Sequence, residues 1–120
     1  MPHLTIQATP NVSITLKETL LKSLNKVLWD SGHFGKPTDI KARIIPIDTF
    51  LVGIEDDEQT NGFIYANLKI MTGRSLDIRN QLAEMLITTI EVELNEKQSE
   101  RVNLQICVEV ENGSGVYHKK

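Results

Sequence analysis

The chain has 120 residues, 13 Lys and Arg against 16 Asp and Glu for a net charge of −3, and one cysteine, Cys107. That length predicts one domain over 1–120 with a single core, and the acidic balance argues against nucleic acid as the main partner. Apolar runs too short to span a membrane, a lone cysteine and no apolar amino-terminal segment of signal-peptide length together predict a cytoplasmic protein without membrane anchorage, internal disulfide or thiolate metal cluster.

Residues 1–8 read as a β-strand, with Leu4, Ile6 and Ala8 on one face and His3, Thr5 and Gln7 on the other. Thr9-Pro10-Asn11 breaks the pattern. A helix follows, capped by Asn11, Ser13 or Thr15, with Thr15 and Glu18 at capping-box spacing. Its apolar stripe is Leu20, Leu21, Leu24, Val27 and Leu28, with Lys17, Lys22 and Lys26 off it and Gly32 as the stop. His33 to Pro37 is a loop. Residues 40–54 are strand-like but irregular: Pro46 marks an edge or bulge and Gly53 a bend. An acidic turn, 55–62, lacks the spacing of a calcium loop and reads as solvated.

The next strand covers 63–71. Gly73 allows a tight turn into a second helix, which Ser75 caps, with Asp77 in its first turn. Leu82, Ala83, Leu86, Ile87, Ile90 and Leu94 form its apolar side, and it ends around 95–98. The last strand, 101–111, alternates strictly, with Cys107 as a small packing residue. A turn at 112–115 leads to a short tail. The order is strand, helix, strand, used twice. Helices apolar on one side only and strands apolar on one face only predict an α+β fold, with both helices on one face of a four-stranded sheet. The mixed character of the other face predicts an oligomer that covers it.

Phosphate-binding glycine loops, nucleophile elbows and histidine pairs at ligand spacing are absent from the sequence, and each histidine defaults to a lone surface residue. Two basic spots remain. Arg74 stands between a strand end and a helix start, where a guanidinium and free helix amides suit a carboxylate; the alternative is a residue that only covers the turn. Lys36, Lys41 and Arg43 form the second, in and after the first helix-to-strand loop, with a solvated edge as the alternative. Once Met1 is removed, Pro2 offers a secondary amine at the end of an ordered strand. If the strands that begin at His3 and Phe63 are parallel neighbours, Pro2 and Arg74 fall at opposite ends of one subunit.

Met1-Pro2-His3, Ile47-Asp48-Thr49-Phe50, Leu68-Lys69-Ile70-Met71-Thr72-Gly73-Arg74-Ser75-Leu76 and Glu84-Met85-Leu86 together resemble the 5-carboxymethyl-2-hydroxymuconate Δ-isomerase family of the tautomerase superfamily. Gly35-Lys36-Pro37 is a weaker similarity to its migration-inhibitory-factor branch. The resemblance implies a β-α-β-β-α-β subunit with a mixed sheet, a homotrimer forming a central barrel, and a small anionic unsaturated acid as substrate. It implies that Pro2 is the catalytic base, that Arg74 is one of the substrate-binding arginines, and that Lys41 replaces another, keeping the charge but losing the bidentate fork. No metal or organic cofactor is implied. A hydratase or dehalogenase of unsaturated acids and a non-catalytic binding module are the alternatives.

Overall fold

A strand–helix–strand unit closes a parallel strand pair through a right-handed crossover. This chain forms two such units, seen in a computed structural model that describes residues 1–14, 16–94 and 102–120. The first holds β1 (His3–Ala8), α1 (Lys17–Asp30) and β2 (Lys41–Pro46); the second holds β3 (Asn61–Ile70), α2 (Leu76–Leu94) and β4 (Asn103–Asn112). Strands β1 and β2 are parallel, as are β3 and β4. The sheet order is β2-β1-β3-β4, so both units contribute their first strand to the centre.

Those central strands run antiparallel, His3 opposite Lys69 and Ala8 opposite Ile64, which corrects the parallel arrangement expected from the sequence. The second unit repeats the first by rotation about an axis normal to the sheet. Such a rotation reverses strand direction but leaves each helix on the same face, so the expectation of two helices on one side holds.

The core lies between that face and the helices. Leu4, Ile6, Ile64, Ala66 and Leu68 on the sheet, Leu24 and Leu28 on α1, and Leu82, Leu86 and Ile90 on α2 are wholly inaccessible to solvent. On the edge strand β4 the inward residues Leu104, Ile106, Val108 and Val110 are only partly buried. Cys107 faces the other way and is exposed, so it is not the packing residue expected. Ser23 Oγ donates to Glu93 Oε1 (2.9 Å) across the two helices. No helix among the described residues is long and apolar enough to cross a membrane.

Local departures have local causes. The helix α1 starts at Lys17, with Leu16 at the cap position and no side-chain cap. Asn11, a candidate cap, is used elsewhere: its Oδ1 accepts from Thr9 Oγ1 (2.7 Å) and its Nδ2 donates to the carbonyls of Gln59 and Asn61 (3.0 Å each). Thr9, a buried polar residue, also accepts from Phe63 N–H through Oγ1 (3.0 Å). Thr15, the end of α2 at 95–98 and Arg101 lie outside the described residues. Gly32 follows α1 with φ +79°, as its stop role requires, and Ser75 Oγ caps α2 by accepting from Ile78 N–H (3.2 Å). The irregular stretch 40–54 yields only the six residues of β2, an edge strand that ends on Pro46. Within the acidic turn, Asp56 accepts from the backbone N–H groups of Thr60 and Asn61 (2.9 Å each), which hold its carboxyl below the usual range.

Leu24→Ala is expected to destabilise the fold by about 2–5 kcal/mol, the range for truncating a fully buried leucine. Lys22→Ala, on the solvent side of the same helix, is expected to stay within about 0.5 kcal/mol. Urea denaturation of both variants at one protein concentration checks this, and a loss below about 1 kcal/mol for Leu24→Ala would contradict the packing described.

Candidate active site

Antiparallel pairing of β1 and β3 places the start of one beside the end of the other. Parallel pairing of β1 and β2 sets Lys41 opposite His3. One end of the sheet therefore gathers Pro2, the start of β2 with its preceding loop, and the turn that carries Arg74. The carboxy-terminal tail crosses the same end: Gly113 N–H donates to the Ile70 carbonyl (2.6 Å). A Cβ on Gly113 would lie 2.8 Å from Met1 Cε and 3.1 Å from that carbonyl oxygen, so a side chain here would need its neighbours to shift.

Pro2 is buried, and its carbonyl accepts from Lys41 N–H (3.2 Å). Beside it a cleft of about 330 Å³ opens on the outer face of the sheet, lined by Met1, His3, Arg43, Lys69 and the tail residue Tyr117 among others. His3 Nδ1 lies 2.6 Å from Arg43 Nη2. A guanidinium can only donate, so the imidazole proton sits on Nε2, which donates to Tyr117 Oη at 2.9 Å. Lys41 Nζ donates to the Asp39 carbonyl (2.7 Å), and Lys119 Nζ pairs with Asp39 Oδ1 (3.1 Å). A second cleft of about 360 Å³ lies at the opposite end of the sheet, but its only charged lining residues are Lys17 and Asp48.

The electrostatics follow from this crowding. The terminal amine, carried here by Met1, titrates below its ordinary value. Burial is the leading cause, followed by Lys41 and Lys119, with Asp39 opposing. His3 is likewise shifted down, by burial, then by Arg43, Lys41, the terminal amine and Lys69. Asp39 sits below the usual carboxylate range, chiefly through its hydrogen bond from Lys119. Both basic groups of the cleft thus favour their neutral forms.

Arg74 lies at this same end, contrary to the separation expected from parallel strands. Its Nη2 donates to the His33 carbonyl (2.6 Å), and its guanidinium carbon is 5.9 Å from the Phe34 ring centroid. It is thereby fixed to the loop that leads to Lys36, Asp39 and Lys41. Lys36 is exposed, close enough to Asp39 to help lower its pKa. Arg43 is exposed on the outer sheet face, against His3. Sequence reasoning missed Asp39, Tyr117 and Lys119, and it left His3 as a lone surface histidine. His3 and Tyr117 are 114 positions apart, a juxtaposition with no local signature. The strand alternation did place His3 on the face it shares with Lys41, Arg43 and Lys69. Among the described residues no three His, Cys, Asp or Glu side chains converge as metal ligands.

Comparison with known proteins bears on this site. No curated protein was found to match by sequence. Among solved structures, the chain is similar to a 5-carboxymethyl-2-hydroxymuconate isomerase from Deinococcus radiodurans R1, with a TM-score of 0.86 at 23% identity over 98% of this chain and 88% of that one. A 5-carboxymethyl-2-hydroxymuconate delta-isomerase superposes with a TM-score of 0.82 at 19% identity, over 100% and 87% of the two chains. More distant is a fused 4-OT wild-type symmetric trimer, with a TM-score of 0.64 at 16% identity, over 92% and 85%. At these identities the structures establish the shared fold. The sequence itself matches a family model, 5-carboxymethyl-2-hydroxymuconate isomerase, from residue 2 to residue 120. The match begins at the proline on which this end of the sheet is built and runs through the tail that crosses it: the chain belongs to the 5-carboxymethyl-2-hydroxymuconate isomerase family.

Proposed function

We propose that this isomerase moves a proton between carbons of an unsaturated 2-hydroxy or 2-oxo acid, 5-carboxymethyl-2-hydroxymuconate or a similar intermediate of aromatic-compound breakdown, with Pro2 as the base and no cofactor. The observation that carries the reading is the terminal amine: it lies beside a cleft, partly buried among Lys41 and Lys119, with its charged form disfavoured. Removal of Met1 hands that role to the buried nitrogen of Pro2. Inside a Met1–Pro2 peptide bond the same nitrogen is an amide with neither a proton nor usable basicity.

An α-amine ordinarily titrates near ~8. Held lower, it is neutral in a larger share of molecules at a given pH, and in that form it can take a proton from carbon, then return it to another carbon. The enolate formed in between is negative, and the cations that depress the amine's pKa also oppose that charge and attract the acid. Arg74, with five N–H donors beside the first turn of α2, holds the carboxylate or enolate oxygen; Lys41 assists, with Lys36 and Arg43 drawing the anion in. The bare outer sheet face and the unpaired edges of β2 and β4 support a homotrimer around a central barrel.

Asp39 favours a second reading. A carboxylate held ionised near the amine suits activation of water for hydration or dehalogenation of an unsaturated acid. Phenylenolpyruvate and a halogenated acrylate, assayed side by side, separate the two, and isomerisation is expected to dominate.

Activity is expected to follow the fraction of chains lacking Met1, measured by intact mass on the assayed batch, and Pro2→Ala to lose most of it. Full activity in a sample that uniformly bears Met1 would end the proline mechanism.

Because the base works in its neutral form, kcat/KM should rise with pH and level off above an inflection lying below the amine's ordinary value. Lys41→Ala removes a cation that lowers this pKa, so the inflection should move upward. Arg74→Ala should lower kcat/KM for a dicarboxylate about 10²-fold or more, the scale of one preorganised donor. A pH–rate profile of the three proteins reads both effects, and an unmoved inflection would detach Lys41 from the base.

Light scattering at micromolar concentration should give three times the mass of the chain, and a stable monomer would contradict the barrel.

A further inference from the structure

The cleft beside the amine has a floor of strand residues, but its wall comes from the tail. Ser114, Val116 and Tyr117 line it opposite His3, Arg43 and Lys69. We propose that the tail, residues 114–119, is the specificity wall of the cleft. In this arrangement Tyr117 recognises a second carboxylate held over Arg43 and Lys69, and His3 is the positioning residue that holds both Tyr117 and Arg43. The inference rests on the acid-binding reading above and assigns this chain's own residues to a second carboxylate of such an acid.

Three observations carry it. First, among the described residues the tail is tied to the body of the protein by polar contacts. Gly113 N–H bonds the Ile70 carbonyl, Tyr117 Oη bonds His3 Nε2, and Lys119 pairs with Asp39. Ser114 only closes its own turn, donating to the Val116 carbonyl and accepting from Val116 N–H (3.0 and 3.2 Å), while Val116 is 74% exposed. A segment so lightly packed takes its position from those anchors.

Second, the His3 ring is engaged on both sides. Its Nδ1 meets Arg43, its Nε2 meets Tyr117, and the two aromatic rings meet edge to face with centroids 5.8 Å apart and planes at 68°. The ring therefore couples the direction of a floor cation to the position of a wall hydroxyl. Its neutral form is favoured by burial first, then by Arg43 and Lys41 on β2, the terminal amine, and Lys69 on β3.

Third, the charges suit a second anionic group. Arg43 and Lys69 stand on the strands flanking β1, opposite Thr5 and His3. Lys69 is offset by Glu111 at 3.4 Å, whereas the contact of Arg43 is with the neutral His3 ring. An acid that reaches the amine has room in this cleft for a carboxylate over Arg43 and Lys69, and Tyr117 Oη is the hydroxyl on its wall.

The test uses adipate, an unreactive dicarboxylate, and hexanoate, its monocarboxylate counterpart. Calorimetry reads binding to the Met1-processed protein, and hydrogen exchange reads the tail. Tyr117→Phe removes one hydroxyl, and His3→Ala removes the ring. Both are expected to weaken adipate about tenfold, the scale of one hydrogen bond to a charged group, with hexanoate within about twofold. Both should speed exchange of the tail amides. His3→Gln keeps an acceptor and a donor and should restore adipate binding. If Tyr117→Phe binds adipate as the parent does, if the parent does not bind it measurably, or if tail exchange is unchanged, the inference is overturned. Adipate binding that depends on Tyr117, in a batch that turns over no unsaturated acid, would remove the isomerisation reading and leave the wall standing.

Discussion

The antiparallel seam between β1 and β3 decides the geometry of everything else. Six residue pairs, from His3–Lys69 to Ala8–Ile64, join the two units. Of their inward members, Leu4, Ile6, Ile64, Ala66 and Leu68 are wholly inaccessible to solvent. A slip of one residue along this seam would turn those side chains to the outer face. The register is thus held by the core, and through it the ends of the two strands are held level. Had the units joined in parallel, the strand start at Pro2 and the turn at Arg74 would lie a full strand length apart.

The same seam concentrates positive charge. Lys41 and Lys69 flank His3 on adjacent strands, with Arg43 two residues further along β2. Two strands apart on one sheet face, these cations repel, though less than a directly opposed pair would. The available ion pairs, Lys69–Glu111 and Lys119–Asp39, are substantially exposed and offset little of that. The excess stability needed to hold them together comes from the leucine and isoleucine layer beneath. The neutral His3 ring, placed among these cations, spaces them without adding to their number.

Much of this was legible in the residues. The helix stripes beginning at Leu20 and Leu82 and the strand alternations beginning at Leu4 and Leu104 identify the elements and their inward faces, because burial imposes those periods. Gly32, Gly73 and Ser75 mark ends that the backbone needs. Strand direction was not legible, because alternation along β1 and β3 is the same whichever way they run. Asn11 was misread as a cap, since its amide serves a loop that follows some 50 positions later. For the site, the residue types at Pro2, Lys41 and Arg74 stood out. Tyr117, Lys119 and Asp39 did not, because what matters about them is contact of the tail with β1, 114 positions earlier, and with a loop 80 positions earlier.

A protein built by repeating a unit has two equivalent strand entrances, one at Pro2 and one at the start of β3. They cannot be chemically equivalent. β3 is entered from within the chain, so its first nitrogens are amides whatever happens to Met1. That entrance has become solid: a Cβ on Gly62 would lie 2.6 Å from Asn11 Oδ1 and 2.9 Å from Thr9 Oγ1. The residues that follow β1 are packed directly against that second entrance. Joining two units into one chain therefore leaves a single amine-bearing entrance per sheet, and the second half brings Lys69, Arg74 and Tyr117 to that same end.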